Sequence, residues 1–252
     1  MGADERESVT EVAAGVLRIH RAGVNCYLLD SGDGLTLIDA GLPGMWRTLR
    51  SALGRLGARP EHLSAVLLTH GHFDHVGLSR RLEDRHGVAS RVHAADRELA
   101  RHPYRYRRES ARWRYPLRYP RAVPLLARMT AAGALSVRGV DAREVIPGAA
   151  LDVPGRPVPV FSPGHTDGHC AYFLPDAGIL FSGDALVTLD PYTGNRGPRM
   201  VARAATADVS ANVVSLGRLA ATDARLTLPG HGTPHRDGIR EAVAEAHRAG
   251  AA

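Results

Sequence analysis

The sequence predicts a mixed α/β (α+β) fold in which two β-rich halves flank a helical segment. Short apolar runs separated by turn residues predict strands, and stretches with apolar residues at helical spacing predict helices. Apolar residues make up 44% of the 252-residue chain, enough for a sizeable core. The predicted strands cover 15–20, 25–30, 35–41, 64–70, 88–93, 156–161, 170–174, 178–181 and 224–232, the last with its loop. The predicted helices cover 45–56, 76–86, 208–221 and 238–249.

The pattern predicts one folded domain. Residues 1–14 are expected to be a polar tail, and residues 15–252 a single domain in which 97–135 is a helical insertion. The turn residues Ser31–Gly34 join two apolar runs and predict a hairpin. Cys26 and Cys170 lie in separate apolar runs, which indicates two small buried residues rather than a disulfide framework.

The charge and hydropathy of the chain bear on whether it has a nucleic-acid or membrane partner. The formal charge is +6, and every one of the 32 basic residues is an arginine. Such a bias is typical of GC-rich coding, so charge alone does not indicate a nucleic-acid partner. No run of 18 apolar residues and no signal-type segment is present, so we expect a cytoplasmic protein without a membrane association.

The segment His70-Gly-His72-Phe-Asp74-His75 carries the strongest chemical signal. Four metal-ligating side chains within six residues, directly after a strand, cannot all reach one ion. His70 and His72 can share one ion, while Asp74 and His75 turn toward a second. Imidazole and carboxylate ligands suit zinc, and also iron or manganese.

Three further donors follow in the same local setting. His165, Asp184 and His231 each come after an apolar strand, in a short turn that contains glycine. Each of these turns alone is a weak signal, but all three in this order after the histidine motif indicate a metal centre.

These motifs resemble those of the metallo-β-lactamase-fold superfamily, over about residues 15–235. The resemblance implies a four-layer αββα sandwich and a glyoxalase II-like or lactonase-like branch, not a true β-lactamase. It assigns His70, His72 and His165 to one ion. It assigns Asp74, His75 and His231 to the other ion, with Asp184 bridging the two. Two divalent ions are expected, with zinc preferred.

The resemblance also implies residues that support the ligands. Asp39 matches an early aspartate that accepts a hydrogen bond from the histidine loop. His169, four residues after His165, is expected to be hydrogen-bonded beneath the site rather than to bind metal.

The mechanism implied is hydrolysis by a metal-bridging hydroxide. Two ions lower the pKa of a shared water from near 16 towards ~7, and one of them stabilises the developing oxyanion. Asp74 and Asp184 are the predicted catalytic residues, Asp74 because it can orient the nucleophile and pass a proton to the leaving group. Asp184 stands where two-zinc β-lactamases carry cysteine or serine, so an ester, thioester or lactone of a small molecule is the expected substrate.

The basic segment 97–128 is the candidate substrate lid. It holds ten arginines with interleaved aromatic residues. As a lid it would contact an acyl or anionic substrate through Tyr104, Tyr106, Arg107, Trp113 and Tyr115. The alternatives are a solvated basic face and an interface.

Other functions stay open at this point. The same ligands could hold iron for redox chemistry, as in persulfide dioxygenases, or serve a phosphodiesterase or nuclease of the same fold. A scaffolding role would tolerate lost ligands, and none is missing. The oligomeric state is open, a dimer included.

Overall fold

The computed structural model describes residues 7–252, and residues 1–6 lie outside the described part. The strands are β1 (Ser8–Ala13), β2 (Val16–Arg21), β3 (Val24–Asp30), β4 (Leu35–Ile38), β5 (Leu63–Leu67), β6 (Ser90–His93), β7 (Arg143–Val145), β8 (Val158–Phe161), β9 (Cys170–Leu174), β10 (Ile179–Gly183), β11 (Val187–Leu189), β12 (Arg196–Arg199) and β13 (Leu226–Pro229). The helices are α1 (Trp46–Arg55), α2 (Phe73–Val76), α3 (Ser79–His86), α4 (Arg97–Arg101), α5 (Arg114–Arg118), α6 (Val123–Ala131), α7 (Val209–Ala220) and α8 (Ile239–Ala249).

Two main sheets divide the chain into its halves. The first seven strands form one sheet in chain order, antiparallel from β1 to β4 and parallel from β4 to β7. The second sheet has the order β13-β10-β9-β8, with β13 parallel to β10. Strands β11 and β12 pair separately as a short ribbon.

Three hydrophobic clusters lie between four layers of helices and sheets. One cluster lies between the seven-stranded sheet and helices that include α1 and α3. A second joins the inner faces of the two sheets, and a third lies between the four-stranded sheet and α7 and α8. The predicted αββα sandwich is therefore confirmed.

Strand β3 shows how sequence sets these layers. Its side chains alternate between faces, as the period of a strand requires. Cys26 and Leu28 lie in the outer cluster, whereas Tyr27 and Leu29 lie between the sheets. Because both faces are covered, the strand is apolar from Cys26 to Leu29 rather than alternating with polar residues.

The region predicted as a polar tail is partly a strand. Residues 8–13, within the expected 1–14 tail, form β1 and pair antiparallel with β2. Val9 and Val12 are buried on opposite faces of the sheet, Val9 in the outer cluster and Val12 between the sheets, and an irregularity shifts the register between Glu11 and Ala13.

The helix predicted over 76–86 is two helices. The amides of Gly77 and Leu78 donate to the carbonyls of Gly41 and Ala40, at 2.7 and 3.0 Å, instead of continuing the helix. A Cβ on Gly77 would lie 2.3 Å from the carbonyl oxygen of Gly41, so only glycine allows this contact. This close approach holds the histidine-bearing turn against the loop after β4.

The expected insertion is helical in part. It contains α4, α5 and α6, while residues 102–113 have no regular helix. Both cysteines are buried and free, as expected. Within residues 7–252, no helix combines the length and the apolarity that crossing a bilayer requires.

Leu28 allows a test of the outer core. Its side chain is 0% exposed, so Leu28→Ala should lower the free energy of unfolding by about 2–5 kcal/mol, because it leaves a cavity. Leu117→Ala, at a side chain that is 77% exposed, is the matched control and should change it by less than about 0.5 kcal/mol. Urea denaturation measures both, and equal effects would contradict the layer assignment.

Candidate metal centre

Four strand ends carry the donor side chains. The loop after β5 presents residues 70–75, and the turns after β8, β10 and β13 present His165, Asp184 and His231. The backbone joins these turns directly: the amide of Gly230 donates to the carbonyl of Gly183 at 2.9 Å. The structure therefore brings all seven sequence-predicted donors to one edge of the sandwich.

The donors form overlapping groups that could each hold a cation. Within each group, one ligand atom of every member lies within 4.8 Å of the others. The groups are His70, His72 and His165; His70, His75 and Asp184; and Asp74, His75 and His231. The first and third groups coincide with the two predicted sets, and Asp184 belongs to the group that shares a histidine with each of them.

Asp184 occupies the middle of this arrangement. Its Oδ2 lies 3.2 Å from His231 Nε2 and 3.6 Å from His165 Nε2, and its Oδ1 lies 3.4 Å from His75 Nε2. On the far side of His231, the Oδ2 of Asp74 lies 3.4 Å from the same Nε2. One carboxylate therefore faces donors of both predicted sets.

The polar atoms that point inward fit metal ions. Among the described residues, buried Nε2 of His70, His75 and His231 and Oδ1 of Asp184 make no hydrogen bond. An unpaired buried polar atom costs about 1–3 kcal/mol. Neighbouring loops could satisfy such atoms, but here they all face one another, as ligands around cations do. The donor set therefore suits divalent ions.

The pKa values show how charge is shared in the cluster. Burial and neighbouring imidazoles hold the pKa of His70 well below its ordinary value, so this ring is neutral and able to bind metal. Burial lowers the pKa of His231, but Asp184 outweighs it and raises the value to about 10. Asp184 has a pKa well below its usual range because His231 and His75 outweigh its burial. A divalent cation would compete with the protons held there.

Hydrogen bonds behind the ligands fix the rings. Asp39 Oδ2 lies 2.9 Å from Nδ1 of His75 and also accepts from the hydroxyl of Thr69. His231 Nδ1 lies 2.9 Å from the carbonyl oxygen of Gly23 and donates to it. Because each Nδ1 is engaged this way, Nε2 of His75 and of His231 faces the cluster.

Two glycines let the donor-bearing turns pack closely against neighbouring atoms. A Cβ on Gly230 would lie 2.2 Å from Oδ1 of Asp184, and one on Gly164 would lie 2.1 Å from the amide nitrogen of Asn212. Gly164 also has φ +130°, which favours glycine. Close contact therefore requires glycine at both positions, and backbone conformation favours it at Gly164 as well.

A protein-family model shows which superfamily the chain belongs to. The model described as the metallo-beta-lactamase superfamily matches residues 21–231. The chain belongs to the metallo-β-lactamase superfamily.

Curated relatives and solved structures agree with this membership. A protein of Mycobacterium tuberculosis, Rv2581c, is 30% identical over 232 residues, 89% of this chain and 90% of its own length. A hydroxyacylglutathione hydrolase of Rhizobium meliloti is 29% identical over 56% of this chain and 40% of its own length. The metallo-beta-lactamase family protein TTHA1429 of Thermus thermophilus has a TM-score of 0.66 and 28% identity, covering 93% of this chain and 79% of that one. TTHA1623, solved in a di-iron-bound form, has a TM-score of 0.62 and 26% identity, covering 89% and 95%.

In this superfamily member, His169 lies beneath the donors rather than among them. Its Nε2 accepts from the backbone amides of Asp184 and Ala185 at 3.1 and 3.3 Å, and its Nδ1 lies 2.8 Å from the Ser162 hydroxyl. The ring therefore orients the turn that carries the central carboxylate.

Asp96 is a supporting residue that sequence analysis missed. Its carboxylate accepts from the amides of Gly71 and Gly168 at 2.9 and 2.7 Å and from the Thr166 hydroxyl at 2.7 Å. Burial raises the pKa of Asp96 to about 6 although the three donors oppose it, so the carboxyl is mostly ionised at neutral pH. It joins the loop of His70 to the turn of His165, whose sequence positions give no sign of that link.

One predicted lid residue reaches the metal centre. A small cavity is lined by His72, Asp74, Asp184 and His231 and by apolar side chains, and Tyr106 is part of its wall. The Tyr106 ring centroid lies 4.0 Å from that of His72. Tyr192, which the sequence did not single out for the site, also lines the cavity, and its hydroxyl lies 3.2 Å from that of Tyr106.

The other four predicted lid residues do not line this cavity. Tyr104 stacks on Phe73, and its hydroxyl donates to the carbonyl of Ala134 at 2.9 Å. Arg107 pairs with Asp167 at the surface, and Trp113 is 67% exposed. Tyr115 is buried, and its hydroxyl donates to the Ala252 carbonyl at the end of the chain.

Asp96→Asn tests the link between the two loops. An amide offers one acceptor atom where the carboxylate offers two, so at least one of the three donors loses its partner, at a cost of about 1–3 kcal/mol. We expect a lower melting temperature and metal affinity reduced by about tenfold. Metal titration and thermal unfolding measure these effects.

Asp167→Asn is the matched control, since its exposed side chain forms a surface ion pair with Arg107 and does not belong to the donor groups. Metal affinity in this variant should equal that of wild type. If both asparagine variants bind metal normally, Asp96 does not position the ligands.

Proposed function

We propose that this protein is a hydrolase with two divalent metal ions that cleaves an ester, thioester or lactone of a small molecule. The observation that carries the proposal is the convergence of seven buried donors at one edge, several with inward atoms that no described residue satisfies. Membership of the superfamily supports the hydrolytic class.

The donor groups suggest how two ions would be held. His70, His72 and His165 would hold one, and Asp74, His75 and His231 the other, with Asp184 shared. Zinc is preferred because imidazole and carboxylate ligands suit it, while the di-iron form of TTHA1623 supports iron as the alternative. When bound, such ions supply Lewis acidity and make hydroxide available near neutral pH.

The chain's own residues would position substrate and move protons. Asp74 lines the cavity, so its carboxylate would lie where it can orient the nucleophile and relay a proton to the leaving group. Burial raises the pKa of Tyr106, which keeps its phenol protonated as a hydrogen-bond donor. The apolar walls formed by Leu126, Met129 and Val201 would exclude water from the reacting bond.

The substrate class is supported by the central carboxylate and by one relative. Asp184 replaces the cysteine or serine expected of a two-zinc β-lactamase, and a hydroxyacylglutathione hydrolase is among the relatives. That enzyme's name indicates a thioester substrate, but this chain matches 40% of its length. We therefore propose the broader class of activated acyl compounds.

Metal analysis combined with a substrate panel tests the proposal. Protein purified from zinc-, iron- and manganese-supplemented cultures would be assayed with thioesters, lactones, aryl esters, β-lactams and phosphodiesters. Two metal equivalents with cleavage of the first three classes supports it. Stoichiometric iron with dioxygen consumption on persulfides and no acyl cleavage would overturn it.

His72→Ala and Asp184→Ala should each lower metal content and reduce turnover by at least about 100-fold, because each removes a donor from the cluster. His247→Ala and Asp223→Ala, at surface positions, are the matched controls and should keep wild-type values. Elemental analysis and steady-state kinetics give the two readouts. Wild-type turnover in either donor variant would show that the assigned centre is not catalytic.

Tyr106 tests which part of the insertion meets the substrate. Because its ring packs on His72 and lines the cavity, Tyr106→Ala should lower kcat/KM by about tenfold or more. Trp113→Ala, at an exposed aromatic of the same insertion, should stay within about twofold of wild type. If the two variants respond alike with unchanged metal content, Tyr106 has no special contact with substrate.

A further inference from the structure

A second cavity lies in the outer helical layer, between helices α1 and α3 and the loop that joins α1 to β5. Its volume is about 490 Å³, which is in the range of small-molecule sites. Three arginines line this α1–α3 cavity, namely Arg50, Arg81 and Arg85, and we call them the cavity arginines. None of the seven metal donors lines it.

Helical spacing directs these side chains into the cavity. Trp46 and Arg50 are four residues apart on α1, and Arg81 and Arg85 are four residues apart on α3. Residues at this spacing lie on the same face of a helix, and all four line the cavity. Because like charges at this spacing repel, the two arginines of α3 destabilise their helix when no anion lies beside them.

The guanidinium of Arg81 is held in place by an aromatic ring. Its Cζ lies 3.9 Å from the centroid of the Trp46 ring, a cation–π contact. Trp46 also stacks with His86, with ring centroids 5.5 Å apart. Within residues 7–252, the buried Nε of Arg81 makes no hydrogen bond. Stacking therefore orients this guanidinium, while no acceptor of the described chain neutralises its charge.

The carboxylates nearest to the cavity have other partners. Glu61, which lines the cavity, pairs with Arg59 at 3.2 Å and lies 3.5 Å from Nδ1 of His86. Asp84, on α3, pairs with Arg80 at 2.9 Å. In the described part of the chain, no carboxylate forms an ion pair with a cavity arginine. The charge of the cavity arginines is thus uncompensated there.

The cavity arginines are close enough to affect one another. Burial lowers the pKa of Arg81 from its ordinary value, and Arg85 and Arg50 lower it further because like charges repel. The fold therefore brings positive charge from two helices to one cavity, and a bound anion would relieve the repulsion.

We propose that the α1–α3 cavity binds the phosphate group of a small organic molecule. A phosphate monoester carries a charge of about −1.5 to −2 at neutral pH and three acceptor oxygens, which match three guanidinium groups better than a singly charged carboxylate does. The cavity is larger than a phosphate group, and Gly54, Ala58 and Pro60 line part of it, which leaves room for the organic part. This site does not depend on the proposed hydrolase function.

Benzylphosphonate and phenylacetate are matched ligands that test the proposal. They share a benzyl group and differ in the anion, and neither has an ester bond for the protein to hydrolyse. In the full-length, metal-loaded Trp113→Phe protein, Trp46 is the only tryptophan, so its fluorescence reports binding in the cavity. We expect a saturable change with benzylphosphonate and an affinity at least about tenfold weaker for phenylacetate.

Arg50→Gln and Arg85→Gln each remove one cavity charge and leave the contact between Arg81 and Trp46 in place. Each should weaken benzylphosphonate binding by about tenfold, because each removes a charge-assisted hydrogen bond. Both side chains are exposed, so thermal unfolding of the variants should match that of wild type.

Arg80→Gln is the matched control. Arg80 lies on the same helix, its side chain is 41% exposed, and it pairs with Asp84 outside the cavity. Its affinity for benzylphosphonate should equal that of wild type. Unchanged affinity in the Arg50→Gln/Arg85→Gln double variant, or an equal loss in the control, would overturn the proposal.

Two further outcomes would also overturn it. A phosphonate suits a metal ion as well, so calorimetry is repeated with His72→Ala: binding that is lost there and kept in the double variant would place the ligand at the metal centre. Arginine-dependent binding of a single-stranded oligonucleotide, or of vesicles of equal phosphatidylcholine and phosphatidylglycerol, without benzylphosphonate binding would exclude a small-molecule site. Either result would leave the hydrolase function untouched.

Discussion

Buried donor atoms that face one another without hydrogen-bond partners are the constraint on which the rest of the structure depends. Four such atoms, from three imidazoles and one carboxylate, point into one space at the edge of the sandwich. The chain alone satisfies such atoms poorly, since each costs about 1–3 kcal/mol when unpaired. The loops that carry the donors must therefore be held in place by contacts outside the cluster.

These contacts form a second ring of buried polar groups around the donors. Asp39 orients the loop after β5, His169 orients the Asp184 turn, and Asp96 links two loops. The two sheets are themselves joined by tyrosines: the hydroxyl of Tyr27 donates to the carbonyl of Pro229, and that of Tyr172 to the carbonyl of Leu68. The second of these carbonyls lies two residues before the first histidine, so movement between the sheets would displace the donors directly.

The sequence predicted those functional residues that lie next to the strand and turn that present them. The histidine motif and the glycine turns can be found without a structure because strand, turn and donor follow one another within a few residues. Asp96 could not be found this way, since its partners lie 25, 70 and 72 residues away in the chain. Strand β1 was missed because its two buried valines lie on opposite faces with polar residues between them, so the sequence shows no alternation. The break at Gly77 comes from backbone hydrogen bonds to the loop after β4, which the sequence does not show.

The aromatic and basic composition of residues 97–128 predicted a lid, but it did not predict which residue lines the cavity. Segment 102–113 lacks regular helix, so no period relates its side chains to a common face, and Tyr106 alone of the five predicted residues reaches the cavity wall. Its neighbour in the wall, Tyr192, comes from the segment between β11 and β12. The predicted ligands thus lie on strand ends of the sandwich, whereas much of the wall around them comes from the insertion and the β11–β12 ribbon. The residues that these two elements add to the wall are not predicted ligands, so the wall can differ between proteins that keep the same ligand motif, and the motif alone leaves the substrate open.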